Sequence, residues 1–111
     1  MNIVLRIKSG PYIANGRPTD RAIKDYEQLS ARLDAFKDFA ADKLLVNCNE
    51  NRTGGPVDRA GFVACLTEPT INLGEKLGSA VIWFDAGALF AGLFVEVQVE
   101  EGEATGARVI G

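Results

Sequence analysis

Residues 70–111 read TINLGEKLGSAVIWFDAGALFAGLFVEVQVEEGEATGARVIG, and this stretch decides the fold. Val95, Val97 and Val99 alternate with Glu96, Gln98 and Glu100, the period-two pattern of a strand with one dry and one wet face. Before it, Val81, Ile82, Trp83 and Phe84 form a strongly β-favouring run within residues 79–85. Ile71 and Leu73 alternate with Thr70 and Asn72, and residues 74–78 supply a hairpin turn. The small residues of AGALFAGL make a corner or bulge ahead of a strand at 94–101. EGEATG then turns the chain into a last strand at 107–110. The expectation is one antiparallel meander whose dry face needs a cover.

The upstream chain reads as that cover. Ala22, Tyr26, Leu29, Leu33, Phe36, Ala40 and Leu44 recur at steps of three and four, one face of a helix. Thr19 or Asp20 provides its N-cap, and the stripe runs to about Asn49, so the segment is one long helix or two in tandem with a bend near Asp34. Lys24, Asp25, Arg32, Lys37, Asp38 and Asp42 fill the other side and read as solvated surface. The break NENRTGGP at 49–56 lacks the spacing of a P-loop or an EF-hand and reads as a linker. Asp58 caps a short helix over 59–66, stopped by Thr67, Glu68 and Pro69. At the start, Ile3, Leu5 and Ile7 alternate with Val4, Arg6 and Lys8, an edge strand. Two glycines and two prolines in residues 9–18 read as an irregular loop. The fold class is therefore α+β, a single domain over residues 1–111. A four- to five-strand antiparallel sheet carries the long and the short helix on one face.

Composition narrows function mainly by exclusion. The chain has 111 residues, 47% of them hydrophobic and 24% charged, with a net charge of −3. Arg17, Arg21, Lys24, Arg32, Lys37 and Lys43 are scattered singly, so no basic stripe suits nucleic acid. No apolar run approaches the roughly 18 residues of a membrane span. MNIVLRIKSG alternates like a strand and lacks the features of a secretory leader; Cys48 and Cys65 have no CxxC spacing and read as free thiols. A cytoplasmic protein is expected. The chain contains no histidine, which removes imidazole acid–base chemistry, Ser-His and Cys-His pairs and the commonest zinc ligand. No catalytic constellation, metal site or cofactor is expected.

AADKLLVNCNEN, FVACLTEPTINLGEKLGSAVIWFDAGALFAG and VEVQVEEGEATGARVIG together resemble a family of uncharacterised small bacterial α+β domains. That family carries an Asp-Gly-x-Leu-Phe-x-Gly-His strand corner, matched here at Asp85, Gly87, Leu89, Phe90 and Gly92. The chain departs at Ala86 and Ala88, where acidic residues are usual, and at Leu93, which replaces the histidine. The resemblance implies the fold and no function; with these apolar replacements the corner reads as core or interface.

Trp83 carries the functional reading. Val81 and Ile82 place apolar groups on both faces of its strand, so the face away from the helices must meet a second protomer, a partner or the loop at 9–18. The interface candidates are Trp83, Val81, Phe94, Glu96, Gln98 and Glu100. A non-catalytic, self-associating interaction protein follows, a homodimer or a module whose acidic stripe meets a basic protein. By analogy, such a domain suits an immunity or accessory role on a mobile gene cassette. The alternative is a small ligand binder or carboxylate enzyme at the corner of Asp85 and Glu96.

Overall fold

The computed structural model describes residues 2–8 and 10–111. In chain order the elements are β1 (Val4–Ile7), β2 (Ile13–Ala14), β3 (Arg17–Pro18), α1 (Asp20–Ser30), α2 (Leu33–Glu50), α3 (Arg59–Ala64), β4 (Thr67–Leu73), β5 (Ser79–Asp85), a 3-10 turn (Gly87–Phe90), β6 (Phe94–Glu100) and β7 (Glu103–Ile110). The main sheet has five strands in the order β1-β4-β5-β6-β7. The fold is α+β and mostly antiparallel, and β4 to β7 form the expected meander.

One pairing corrects the expectation of an all-antiparallel sheet: β1 lies parallel to β4, with Val4 opposite Thr70 and Ile7 opposite Leu73. A parallel neighbour needs a long crossover. Here α1, α2 and α3 all intervene between the two strands, so the chain returns to the sheet in the direction in which it left.

Alternation along each strand sorts the two faces. Ile71, Leu73, Ala80, Ile82, Phe84, Val95, Val97 and Val99 are buried beneath the helices. Ala22 and Leu29 of α1, Leu33, Phe36, Ala40, Ala41 and Cys48 of α2, and Phe62 of α3 complete that core. Phe62 also meets Phe90 of the 3-10 turn edge-on, with ring centres 6.3 Å apart.

The helical stripe divides into two helices, with the break at Ala31 and Arg32 just before the expected bend. Thr19 caps α1, its hydroxyl accepting from the Ala22 N–H. In the last turn Ser30 Oγ donates to the Tyr26 carbonyl at 2.7 Å, a back-bond that bends helices. The break lets α1 lie against β4 while α2 lies against β7. Lys37 corrects the reading of a solvated polar side: it is only 7% exposed. Its stem is packed inward and its ammonium lies 5.9 Å from the centre of the Phe84 ring.

Three turn segments also differ from expectation. Ser9, first residue of the expected loop at 9–18, lies outside the described residues. The remainder is not irregular: β2 and β3 pair across Asn15 and Gly16, both at positive φ. That is the geometry of a two-residue type I′ hairpin, which favours Asn-Gly. Thr67, Glu68 and Pro69 belong to β4, where a register shift between Thr67 and Thr70 accommodates a proline without an N–H. Residues 103–106 belong to β7, which carries an irregularity opposite Gln98 and Val99 and starts directly after the tight turn at Glu101 and Gly102.

The side-chain amide of Asn49 ties the two ends of the break at 49–56 together. Asn49 Oδ1 accepts from the Val57 N–H at 2.8 Å, and its Nδ2 donates to the Val57 carbonyl at 3.0 Å. Asp58 then caps α3, accepting from the Gly61 N–H.

Candidate functional site

The helices cover one face of the sheet and leave the other open. Strand register orders the open face into rows. Val4, Thr70, Trp83, Glu96 and Arg108 form the central row, and Arg6, Asn72, Val81, Gln98 and Gly106 the next. Asp85, Phe94 and Ile110 lie on one side of these rows, and Ser79, Glu100 and Glu103 on the other. All six interface candidates therefore share one surface.

Glu96 is the physical centre of that surface. It is 6% exposed although no helix covers it. Its Oε2 accepts from Trp83 Nε1 at 3.1 Å, while Oε1 accepts from Gln98 Nε2 and Arg108 Nε, both at 3.2 Å. Three donors from three adjacent strands thus enclose one carboxylate. A buried carboxylate is costly without hydrogen-bonded partners, and this one has them on both oxygens. Trp83 is thereby fixed at its polar edge. Arg108 is held by the same carboxylate, yet its side chain remains 64% exposed.

The other candidates have separate roles. Glu100 accepts from Ser79 Oγ at 2.9 Å, tying β6 to β5 at the rim. Phe94 is 44% exposed and, with the neighbouring Leu93, forms an open apolar corner. Asp85 accepts from the Gly87 N–H at 2.8 Å, which anchors the 3-10 turn. The structure brings Trp83 and Glu96 into direct contact. It does not join Asp85 to Glu96: each carboxylate has its own donors, and neither lines the two cavities described next.

One of two cavities lies on the helix side. A cleft of about 510 Å³ opens between α1, the α1–α2 junction and the turns following β4 and β6. Leu29, Leu73, Ala80 and Val99 line it below; Arg21, Gln28 and Arg32 stand on the helical wall and Glu101 on the turn opposite. At its back, Arg21 Nε lies 2.9 Å from both oxygens of Asp25. Asp25 also accepts from the Tyr12 hydroxyl at 2.6 Å, and that hydroxyl accepts from the Gly78 N–H at 2.8 Å. Burial, then the bond to Asp25, raises the Tyr12 pKa above its ordinary value of 10.0. The same carboxylate raises the Arg21 pKa, holding the guanidinium charged.

A second cavity, of about 550 Å³, separates the end of α2 from the 3-10 turn. Its one thiol, Cys48, is directed at the Leu89 carbonyl 3.7 Å away. Both cysteines are free. Among the described residues, no helix is long and apolar enough to cross a membrane.

Comparison with known proteins finds no matching family model, no matching curated protein and no matching solved structure. Sequence reasoning missed Arg108 as the partner of Glu96. The signal was present: VEVQVEEGEATGARV places a basic residue across a short hairpin from an acidic strand. It also missed the assembly of Tyr12, Arg21 and Asp25. Only the i,i+4 spacing of Arg21 and Asp25 was visible there.

Proposed function

We propose that the protein is a non-catalytic interaction module that pairs with a second copy of itself through the open face of its sheet. The observation that supports this most is the Trp83–Glu96–Arg108 row, an aromatic and an arginine pre-positioned on a face without a helical cover. Tryptophan and arginine are the residues most often responsible for binding energy at protein interfaces. Holding them in place beforehand reduces the ordering cost of association.

The face suits a second copy better than a uniformly basic partner. It carries Arg6 and Arg108 as well as Asp85 and Glu100, so a basic surface would meet repulsion as well as attraction. Its size is sufficient but not large. Five strands at about 4.8 Å and seven residues at about 3.4 Å outline roughly 550 Å² per copy, or about 1,100 Å² in all. A reversible dimer is expected rather than an obligate one.

The test is solution mass by light scattering over a concentration series, for the native protein and for Phe94→Glu. Phe94 is exposed, so the substitution places a charge on the face without disturbing the core. The native protein should move from monomer to dimer, and the variant should remain monomeric with an unchanged thermal midpoint. A native protein that stays monomeric, or a dimer indifferent to Phe94→Glu, would refute the proposal.

A further inference from the structure

From the cleft between α1 and the two sheet turns, we infer a binding site for a small zwitterion with an apolar side chain, a free amino acid or dipeptide in chemical class. It lies on the helix side of the sheet, as its lining by the core-facing Leu73, Ala80 and Val99 requires. The inference is therefore independent of what covers the open face.

The argument starts with which charges are already used. Asp25 accepts from Arg21 Nε and the Tyr12 hydroxyl, and Tyr12 is in turn held by Gly78. Asp25 and the Tyr12 hydroxyl thus form the rigid back of the cleft rather than its reactive lining. Arg21 engages Asp25 through Nε, and its two terminal nitrogens have no hydrogen-bond partner among the described residues. Arg32 donates through Nη1 to the Gly102 carbonyl, while its Nη2 lies 3.7 Å from the Glu103 carboxylate, too long for a hydrogen bond. The helical wall thus offers guanidinium N–H groups to an anion.

The opposite wall offers the reverse charge. Glu101 has positive φ, and its main chain is fixed by donation to the Gly78 carbonyl at 2.7 Å. Its carboxylate folds over Gly78, where any Cβ would collide with it. That carboxylate accepts no hydrogen bond from another described residue, and it acts on Arg21 through space. Glycine at position 78 keeps open the place the acid occupies.

A cation wall, an anion wall and an apolar base select a ligand carrying carboxylate, ammonium and hydrocarbon together. A simple anion would leave Glu101 unmatched, and a simple amine would leave the arginines so. The volume of about 510 Å³ falls within the usual range for small-molecule sites and admits a dipeptide.

The experiment is an amide-resolved NMR titration with L-leucine and the dipeptide leucyl-leucine, alongside N-acetyl-leucine, which lacks the ammonium, and leucinamide, which lacks the carboxylate. Saturable shifts are expected at Ala31, Gly78, Glu101 and Gly102 for at least one zwitterion, with a dissociation constant of order 1 mM or tighter. The matching one-charge analogues should bind at least about tenfold more weakly. Glu101→Gln should weaken the zwitterion while leaving N-acetyl-leucine unaffected. The analogue series tests charge matching in the native protein, so it does not depend on any variant folding. Absence of saturable shifts at these amides to about 10 mM ligand would overturn the inference. Equal binding of all analogues, or shifts confined to other parts of the molecule, would overturn it as well.

Discussion

The Glu96–Arg108 pair is where the organisation of the open face can be measured. Its two members differ in what their removal leaves behind. Arg108→Ala leaves a carboxylate that is 6% exposed facing only the neutral donors of Trp83 and Gln98. Glu96→Gln leaves a guanidinium already in contact with water, its side chain 64% exposed. At 3.2 Å, a unit charge pair in an effective dielectric near 20 attracts by about 5 kcal/mol. Solvent around Arg108 screens most of this, and the surviving coupling should be about 1–1.5 kcal/mol, above that of an exposed pair. Arg108→Ala should therefore cost about 2 kcal/mol and Glu96→Gln about 1.5, with the double variant near 2 rather than their sum. Urea melts of the four proteins with matched slopes give the cycle directly. Additivity to within about 0.3 kcal/mol would show that the residues do not act as a unit, and the argument for a pre-positioned face would fail.

Three further outcomes follow from the helix side. The Tyr12 pKa is raised in the folded protein, so its stabilising contribution is complete below the ordinary value of 10.0 and is lost as pH rises through the raised one. Urea midpoints from about pH 8 to about pH 11.5 should fall more steeply for the native protein than for Tyr12→Phe; parallel profiles would contradict the assignment. Gly78→Ala places a side chain at φ +85° against the Glu101 carboxylate and should cost about 1–2 kcal/mol, or at least about 5 °C in thermal midpoint. An unchanged midpoint would mean that the turn relaxes freely. Lys37→Met should alter stability by less than about 1 kcal/mol, whereas Lys37→Ala should cost more, because the buried stem rather than the charge is what packs. Equal losses in urea melts would assign the effect to the ammonium.

The meander was legible because strand alternation is a local signal. Val95, Val97 and Val99 announce the face they bury without reference to any other element. The Asn15–Gly16 hairpin was equally local, but prolines and a second glycine nearby obscured its turn signature. The direction of β1 was not local: it depends on where three helices return the chain. Lys37 was misread because charge was taken as a sign of exposure, although position 37 follows Phe36 on the side that α2 presents to the sheet. Glu96 shows the same limit. Its alternation correctly placed it opposite the core, but its burial depends on Trp83 and Arg108 arriving from neighbouring strands. Tyr12, residues of α1 and two turns meet at the cleft, and no sequence interval relates all of them.

The central row also bears on why an uncovered sheet face can be specific rather than merely adhesive. Five strands with aromatic and aliphatic side chains facing solvent would ordinarily invite indiscriminate association. Here the largest side chain on that face is tethered through its N–H to a carboxylate, and that carboxylate also holds an arginine. A docking surface must then match the indole and accommodate a guanidinium whose remaining donors point outward. An apolar surface that covered Arg108 without satisfying it would incur a desolvation penalty, so mismatched partners are disfavoured by the same charge that organises the face. On this view Glu96 serves the interface without touching the partner. In the proposed dimer its burial would fix the rotamers of Trp83 and Arg108, and the strength of its bond to Arg108 would set how sharply the face discriminates.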